Sequence, residues 1–478
     1  MATAVADCAR WLREHARGDV RVDPAGRLAY AVDASAYRIV PGAVLVAADE
    51  QDLHLALAAC RAEGVPLTIR GAGSGMAGQA LGEGLVIDCT QLRRVQSIDA
   101  GERLARVQPG VVQAELDRHA ARHGMCLGPD TASAARATLG GMVANDSAGM
   151  RSVIYGRTSH RVRRLRVLRA DGVEEWLGET PRARVRGPWR EVLSAHDRHR
   201  HQIAQRWPAL LRCVDGYNLP ALGGERPHLA RLLCGSEGTL AVVLEAELEL
   251  DPLPALRSWT VIAPGSLPEA VEVSRRAVAG GASAVELLDA PTLASDPVVS
   301  ELAAGATIVL LVEHSGDRDS IRAARAVLRG EVGTAPVRFV DDAAEARAVV
   351  GMRRNLLALT SRPVGSRRPV NVGEDGAVPP DRLVEYIAGL RAIFRAEGTD
   401  SAVTGHISVG CIHTQPLLDL RDPGDRARLR RIAQATAELG ISLGGAISGE
   451  HGDGISRSEL LPRLFGAELC AAFGEVKR

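Results

Sequence analysis

The segment SGEHGDGISRS, residues 448–458, sets a carboxylate, Glu450, beside an imidazole, His451, among glycines at 449, 452 and 454. Such a pair could ligate a metal, move a proton or cap a helix, and glycine lets its backbone come close to a neighbour. Adjacent side chains of an extended chain point opposite ways, so one can bind a metal while the other faces a reaction. Upstream, GHISVGCIH places His406 and His413 seven residues apart in a β-like segment. That odd spacing puts them on opposite faces of an unbroken strand, and Gly410 between them could supply a bulge that restores a shared face. Two histidines and Glu450 would make an N/N/O set, and catalytic zinc often has three protein ligands with a position left open. Histidine pairs are also commonly structural.

Two stretches are rich in glycine, and the first could hold phosphate. Gly73-Ser-Gly75-Met-Ala-Gly78 matches GxGxxG, but the dinucleotide fingerprint needs a helix opening at that loop. Only residues 79–84 precede the next apolar run, too few for that helix, so a Rossmann fold is rejected. What remains is a loop of small residues, RGAGSGMAGQA (70–80), directly after a strand. Its successive N–H groups could form an anion nest suited to pyrophosphate. A glycine turn without a ligand is the alternative. The second stretch is ATLGGMVANDSAGM (137–150). HDRHRH (196–201) resembles a metal site, but its arginines would repel a cation, and it reads as a solvated helix face.

The elements that must position these residues read as follows. AVLVAA (43–48), a helix opening at DEQD, VPLTIR (65–70) and GLVIDC (84–89) alternate as an α/β pattern. RVRRLRVLRADG (161–172) and the run ending at residue 250 read as strands. DPLPAL (251–256) marks a boundary, after which strand and helix signals alternate again, with helices at 266–279, 318–329, 380–397 and 423–439. At the start, the spacing of Val5, Cys8, Ala9 and Leu12 suits an amphipathic helix and not a secretory signal.

The 478 residues are 46% hydrophobic and 24% charged, which describes an ordinary globular protein. The 58 basic and 58 acidic side chains cancel, which argues against nucleic acid as the main partner. Lys477 is the only lysine, so the positive charge is nearly all arginine. No apolar run reaches the roughly 18 residues of a membrane span. The eight cysteines are scattered without CxxC spacing, which suits free thiols in a cytoplasmic protein and argues against an iron–sulfur cluster held by this chain alone.

Five ordered motifs together resemble one family: FAD-linked oxidases and dehydrogenases of the vanillyl-alcohol-oxidase (PCMH-type FAD-binding) superfamily. The branch they resemble is that of the D-lactate, glycolate and D-2-hydroxyglutarate dehydrogenases. The motifs are RGAGSGMAGQA, PDTASAARATLGGMVANDSAGMRSVIYG (129–156), CGSEGTLAVV (234–243), GHISVGCIH and SGEHGDG. The resemblance implies an α+β fold: a two-subdomain PCMH-type FAD-binding domain at 35–255 and an α/β cap (substrate) domain at 256–478. Residues 1–34 would form a helical extension, and about 440–478 would pack back on the flavin. DASAYRIVPGAVL, VDGYNLPAL and GEDGAVPP are most similar to members with a fused iron–sulfur region. The sequence stops at FGEVKR, short of the segment usual next in the family. Either the chain is truncated or its electron acceptor is a separate iron–sulfur protein, quinone or electron-transfer flavoprotein.

Residue roles follow from the resemblance. The loop Arg70, Gly71, Ala72, Gly73, Ser74, Gly75, Met76, Gly78 and Gln79 would hold the FAD pyrophosphate. Pro109, Pro129, Thr138, Gly140, Gly141, Ala144, Asn145, Ser147 and Gly149 would line the flavin, with Tyr155 and Gly156 nearby. Glu237, Gly238, Thr239, Leu240 and Val243 would continue that wall. Members with covalent flavin carry a histidine in the first loop, so noncovalent FAD is expected here. His406, His413 and Glu450 match the ligands of a divalent metal, taken as zinc. Arg353 and Arg368 match cations that grip a substrate carboxylate, a task suited to the guanidinium fork. His451 would be the general base, and Gly452 and Gly454 would let its turn approach the flavin. Ser408 and Val409 stand where many relatives have an aspartate, which bears on the shell that orients the metal ligands. Asn371 and Gly376 also depart from the family pattern, which leaves substrate size open. The activity implied is oxidation of a 2-hydroxy acid, the D enantiomer, to the 2-oxo acid by hydride transfer to flavin N5. The alternatives are a flavin-binding electron-transfer subunit, the same chemistry on another alcohol, and a zinc hydrolase without flavin. The protein would be cytoplasmic or peripheral to a membrane.

Overall fold

The computed structural model describes residues 1–293, 305–342, 344–351 and 365–478. Its N-terminal sheet holds β1 (Asp19–Arg21), β2 (Ala43–Val46), β3 (Leu67–Arg70) and β4 (Leu85–Asp88) in the order β1-β2-β4-β3. β2, β4 and β3 run parallel, as a strand–helix–strand crossover requires. The crossover helix Glu50–Glu63 starts at the Asp49 cap and stops at Gly64, whose left-handed φ of 63° ends it cheaply. The first helix, Ala2–His15, buries Val5, Cys8, Ala9 and Leu12 against this unit.

The next sheet is antiparallel: β5 (Val95–Asp99), β6 (Leu104–Val107), β8 (Val162–Arg169), β9 (Glu174–Gly178) and β10 (Ala241–Glu249), in the order β5-β6-β10-β8-β9. A short pair, β7 (Met125–Cys126) with β11 (Asp251–Pro252), closes its end. The helix Leu139–Asn145 packs in this core, as does the C-terminal helix Leu461–Lys477, which lies along the helix Trp189–Arg206.

The third sheet contains β12 (Leu256–Ile262), β13 (Ala284–Asp289), β14 (Ile308–Gly316) and β15 (Val337–Val340). β16 (Arg368–Pro369) lies outside it, and β17 (Gly376–Ala377), β18 (Val403–His406) and β19 (Cys411–Thr414) complete it. Its order is β15-β12-β14-β13-β18-β19-β17, antiparallel throughout. Helices Leu267–Ala279, Arg318–Glu331 and Leu383–Ala396 cover one face, where Val285, Leu287, Leu310 and Val312 are buried. The period of two puts the alternate residues Glu286, Leu288, Leu311 and Glu313 on the opposite face. That second face also carries Trp259 and meets Met150 of the FAD-motif stretch. All eight cysteines are free, and among the described residues no helix is long and apolar enough to cross a membrane.

Candidate active site

The histidine motif folds as a hairpin, which corrects the expectation of a bulged strand. β18 and β19 pair antiparallel, joined by Ile407–Val409 and by Gly410 at a left-handed φ of 75°. Thr404 lies opposite His413 and His406 opposite Cys411, so the two histidines sit diagonally on one face. Spacing alone could not reveal this, because a turn resets the face parity that a single strand would impose.

Three side chains from two segments, the hairpin and the turn at Glu450, converge there. His406 Nε2 is 3.2 Å and His413 Nε2 3.1 Å from the same oxygen, Oε1 of Glu450. His406 Nδ1 meets Glu286 of β13 at 2.6 Å, buried on both sides. A neutral imidazole carries one N–H, yet both His406 nitrogens face carboxylates, so one contact asks for a second proton or a cation. A carboxylate behind a histidine is also the usual arrangement that aims the other nitrogen at a metal. The N/N/O donor set therefore fits zinc. Oxygen, sulfur and nitrogen donors of Asp375, Cys411, His413 and Glu450 also lie within 4.8 Å of one another.

Buried cations hold Glu450 and Glu374 ionised. Arg212, with no exposed surface, reaches Glu450 Oε2, Ser152 Oγ at 2.9 Å and the Gly149 carbonyl at 2.6 Å. Burial pushes the Glu450 carboxyl up, but Arg212 and His406 outweigh it and hold it well below the usual range. Glu374 is likewise driven well down: His451 and Arg457 overcome its burial. His413 is raised to about 10, because the Glu374 and Glu450 carboxylates outweigh desolvation. His451 Nδ1 lies 2.9 Å from Glu374 Oε1, which leaves Nε2 on the side of Glu450, 3.7 Å away. Burial lowers its basicity, but Asp375 and Glu374 raise it further than burial lowers it.

The turn that carries Glu450 and His451 is built from two sides. Asp375 accepts the backbone N–H of His451 at 2.8 Å and the Ser448 hydroxyl at 2.6 Å. On the other side the turn lies on the first glycine loop. Ala77 O accepts from Ile455 N at 2.8 Å and Ser456 N at 3.2 Å, and Gln79 Nε2 donates to the His451 carbonyl at 2.5 Å. Glu237 accepts from Gln79 at 3.2 Å and from Gly454 N at 3.0 Å. Gly452 and Gly454 have φ of 86° and 48°, and what they approach is Gln79, Glu237 and Ala77, the protein segments expected around a flavin.

The other motif residues pack together. A Cβ at Gly71 would collide with Thr138, which caps the helix Leu139–Asn145 through Gly141 N at 3.3 Å. Gly75 approaches Asn145, Gly140 lies on Pro109, and Gly149 on the backbone of Asp130. Glu237 N donates to Ala144 O at 2.8 Å, and Ser147 O accepts from Thr158. Pro129 O accepts from Gln113, Gly128 packs on the Tyr155 ring, and Gly156 on His160. Thr239 Oγ1 meets the Tyr217 hydroxyl at 2.7 Å, while Leu240 and Val243 pack on the second core. Backbone N–H groups from Ala72 to Met76 have no acceptor among the described residues, the condition for an anion nest, so the loop fits a pyrophosphate. Arg70 instead braces the N-terminal extension, donating to the Val32 carbonyl at 2.9 Å.

One cavity of about 170 Å³ joins both sets. Its lining includes Met76 and Gly149 from the glycine stretches, His406, His413, Glu450 and His451 from the cluster, and Trp259 and Gln415 from the cap. Of the two expected carboxylate-binding arginines, Arg368 is exposed on β16, bonded to the carbonyls of Gly365 and Arg367, and does not line this cavity. Arg353 lies outside the described residues. Sequence reasoning missed Arg151, Arg212, Glu286, Glu374 and Arg457. Arg151 lies within the 129–156 motif, Arg457 within 448–458 and Glu374 within GEDG, whereas Arg212 and Glu286 carried no signal. The HDRHRH stretch lies on the helix Trp189–Arg206, where His196 is buried beside Asp197.

With this geometry in view, two family models match in tandem: "FAD binding domain" over residues 41–178 and "FAD linked oxidases, C-terminal domain" over 253–478. The chain belongs to the FAD-linked oxidases. It is 30% identical to D-2-hydroxyglutarate dehydrogenase of Pantoea ananatis over 96% of its own length, but spans only 48% of that protein, about half. It is 27% identical to glycolate oxidase subunit GlcD of Bacillus subtilis, covering 91% of this chain and 86% of that one. Substrate-bound p-cresol methylhydroxylase superposes with a TM-score of 0.71 at 12% identity, over 100% of this chain and 93% of the other, which shows a shared fold.

Proposed function

We propose that this chain oxidises a 2-hydroxy acid, the D enantiomer, to the 2-oxo acid, with noncovalent FAD as the immediate electron acceptor. The observation that carries this reading is the single cavity lined both by the glycine stretches and by the histidine–glutamate cluster. The relatives' names supply the substrate class. Bound FAD supplies a hydride acceptor at N5. A divalent metal held by His406, His413 and Glu450, taken as zinc, supplies Lewis acidity toward the substrate hydroxyl.

This chain's residues do the rest. His451 takes the hydroxyl proton at Nε2, while Glu374 holds Nδ1–H and fixes the tautomer. Glu374 and Asp375 raise the proton affinity of His451, which makes it a stronger base. Arg212 offsets the charge of Glu450 and fixes its orientation, and Glu286 fixes the orientation of the His406 ring. Gln79, through the His451 carbonyl, ties the base to the cofactor loop. Trp259, Met76 and Met150 give the cavity an apolar lining.

The test is a visible spectrum of the purified protein, recorded anaerobically before and after addition of D- and L-2-hydroxy acids. Flavin bands bleached by a D-acid support the reading. A protein that stays colourless after FAD is added overturns it.

A further inference from the structure

The proposed reaction needs a cation for the substrate's carboxylate, and Arg368 is not at the cavity. Among the described residues that line the cavity, the arginine is Arg151. Its guanidinium is mounted with one edge committed. Nε and one Nη donate to the two oxygens of Glu313 at 2.7 and 2.6 Å, a bidentate pair with a carboxylate that has no exposed surface. Glu313 is held in turn by the Ser283 hydroxyl at 2.8 Å. The remaining Nη meets Asp130, whose side chain is 38% exposed and also lines the cavity.

The two carboxylates are therefore unequal. The buried, bidentate Glu313 is a fixed mount, whereas a half-exposed single contact is screened and contributes little. Gly149 packs on the Asp130 backbone, so the loop is fixed whether or not the side chain keeps its contact. A guanidinium whose Nε edge is occupied can still take a carboxylate on its end-on Nη edge.

We propose that the end-on edge of Arg151 seats the substrate's carboxylate, and that Asp130 fills it as an internal anion until substrate displaces it. The ligand class is a 2-hydroxy carboxylate, and this rests on the activity proposed above. Asp130 would set the affinity by competition. Its exchange needs no movement of the cap sheet, because Glu313 keeps Arg151 in place.

The test compares the FAD-loaded protein with Asp130→Asn in two measurements. The first is the rise in unfolding temperature caused by propionate, a carboxylate without a hydroxyl to oxidise, which follows binding alone. The second is the KM and kcat for the 2-hydroxy acid that bleaches the flavin. Removing the competitor should tighten propionate three- to ten-fold and lower KM to a similar extent, with kcat changed less than two-fold. Arg151→Lys, which keeps a cation but loses the fork, should weaken both. Unchanged or weaker propionate binding in Asp130→Asn overturns the seat. If no hydroxy acid bleaches the wild type while propionate still binds more tightly to Asp130→Asn, the seat stands and the proposed oxidation falls.

Discussion

Gly454 offers a direct measure of how firmly the turn that carries Glu450 and His451 is pressed on the first glycine loop. An alanine there would adopt a left-handed φ near 48° and place its Cβ inside the contact distance of the Ala77 carbonyl, with the Ala77 side chain 2.9 Å away. Gly64, at the end of the helix Glu50–Glu63, is the matched control: its φ is 63° and a Cβ would meet nothing within 4 Å. Gly64→Ala then incurs only the left-handed penalty, about 1–2 kcal/mol. Gly454→Ala incurs the same penalty plus about 1–3 kcal/mol of overpacking against backbone that has little freedom to move. If the turn lifts to relieve the clash, the two bonds to Ala77 O are lost at about 1 kcal/mol each. The expected total is about 2–5 kcal/mol, roughly two to two and a half times the control. Unfolding midpoints of both variants in denaturant, with FAD retention measured alongside, give the comparison. Gly454→Ala should also release FAD more readily, because Ala77 and Gln79 belong to the loop assigned to the pyrophosphate. Equal midpoints for the two variants would refute the claim that this turn bears on that loop.

Two further substitutions test the electrostatic reasoning. Glu286→Gln keeps the shape behind His406 but removes the carboxylate 2.6 Å from Nδ1, so zinc affinity measured by chelator competition should fall about 10–100-fold. His228 caps the helix Leu229–Leu233 by accepting from Arg231 N, and burial with Arg231 nearby pushes it down to about 4 from its ordinary 6.5. A depressed histidine contributes stability that is complete above 6.5 and is lost as pH falls through that window toward 4. His228→Asn keeps an acceptor at the cap but cannot be protonated there, so its unfolding temperature should fall less than wild type between pH 6.5 and 4.

Much of the frame was legible in the sequence because it is local. Six residues between Gly78 and the next strand exclude a helix, and the structure has a loop there. The spacing of Val5, Cys8, Ala9 and Leu12 marks a buried helix face, and these four residues are its buried ones. The motif residues His406, His413, Glu450 and His451 were nameable because histidine is scarce in this chain and Glu450 stands beside one among glycines. The arginines were not. In a chain with one lysine, arginine is so common that nothing local separates the fully buried Arg212 from an exposed Arg368.

By itself the sequence determined the short-range geometry: helix faces, strand alternation, and glycines where the backbone must turn left-handed or pass close to a neighbour. Only the tertiary structure decided the partners that give the site its charge and orientation. Glu286 stands 120 residues from His406, Glu374 77 residues from His451, and Arg212 238 residues from Glu450. A hydrogen bond or ion pair acts over a few ångströms of space and is indifferent to separation along the chain. Which carboxylate meets which cation is therefore fixed only when the sheets and loops have packed and water has been excluded from between them.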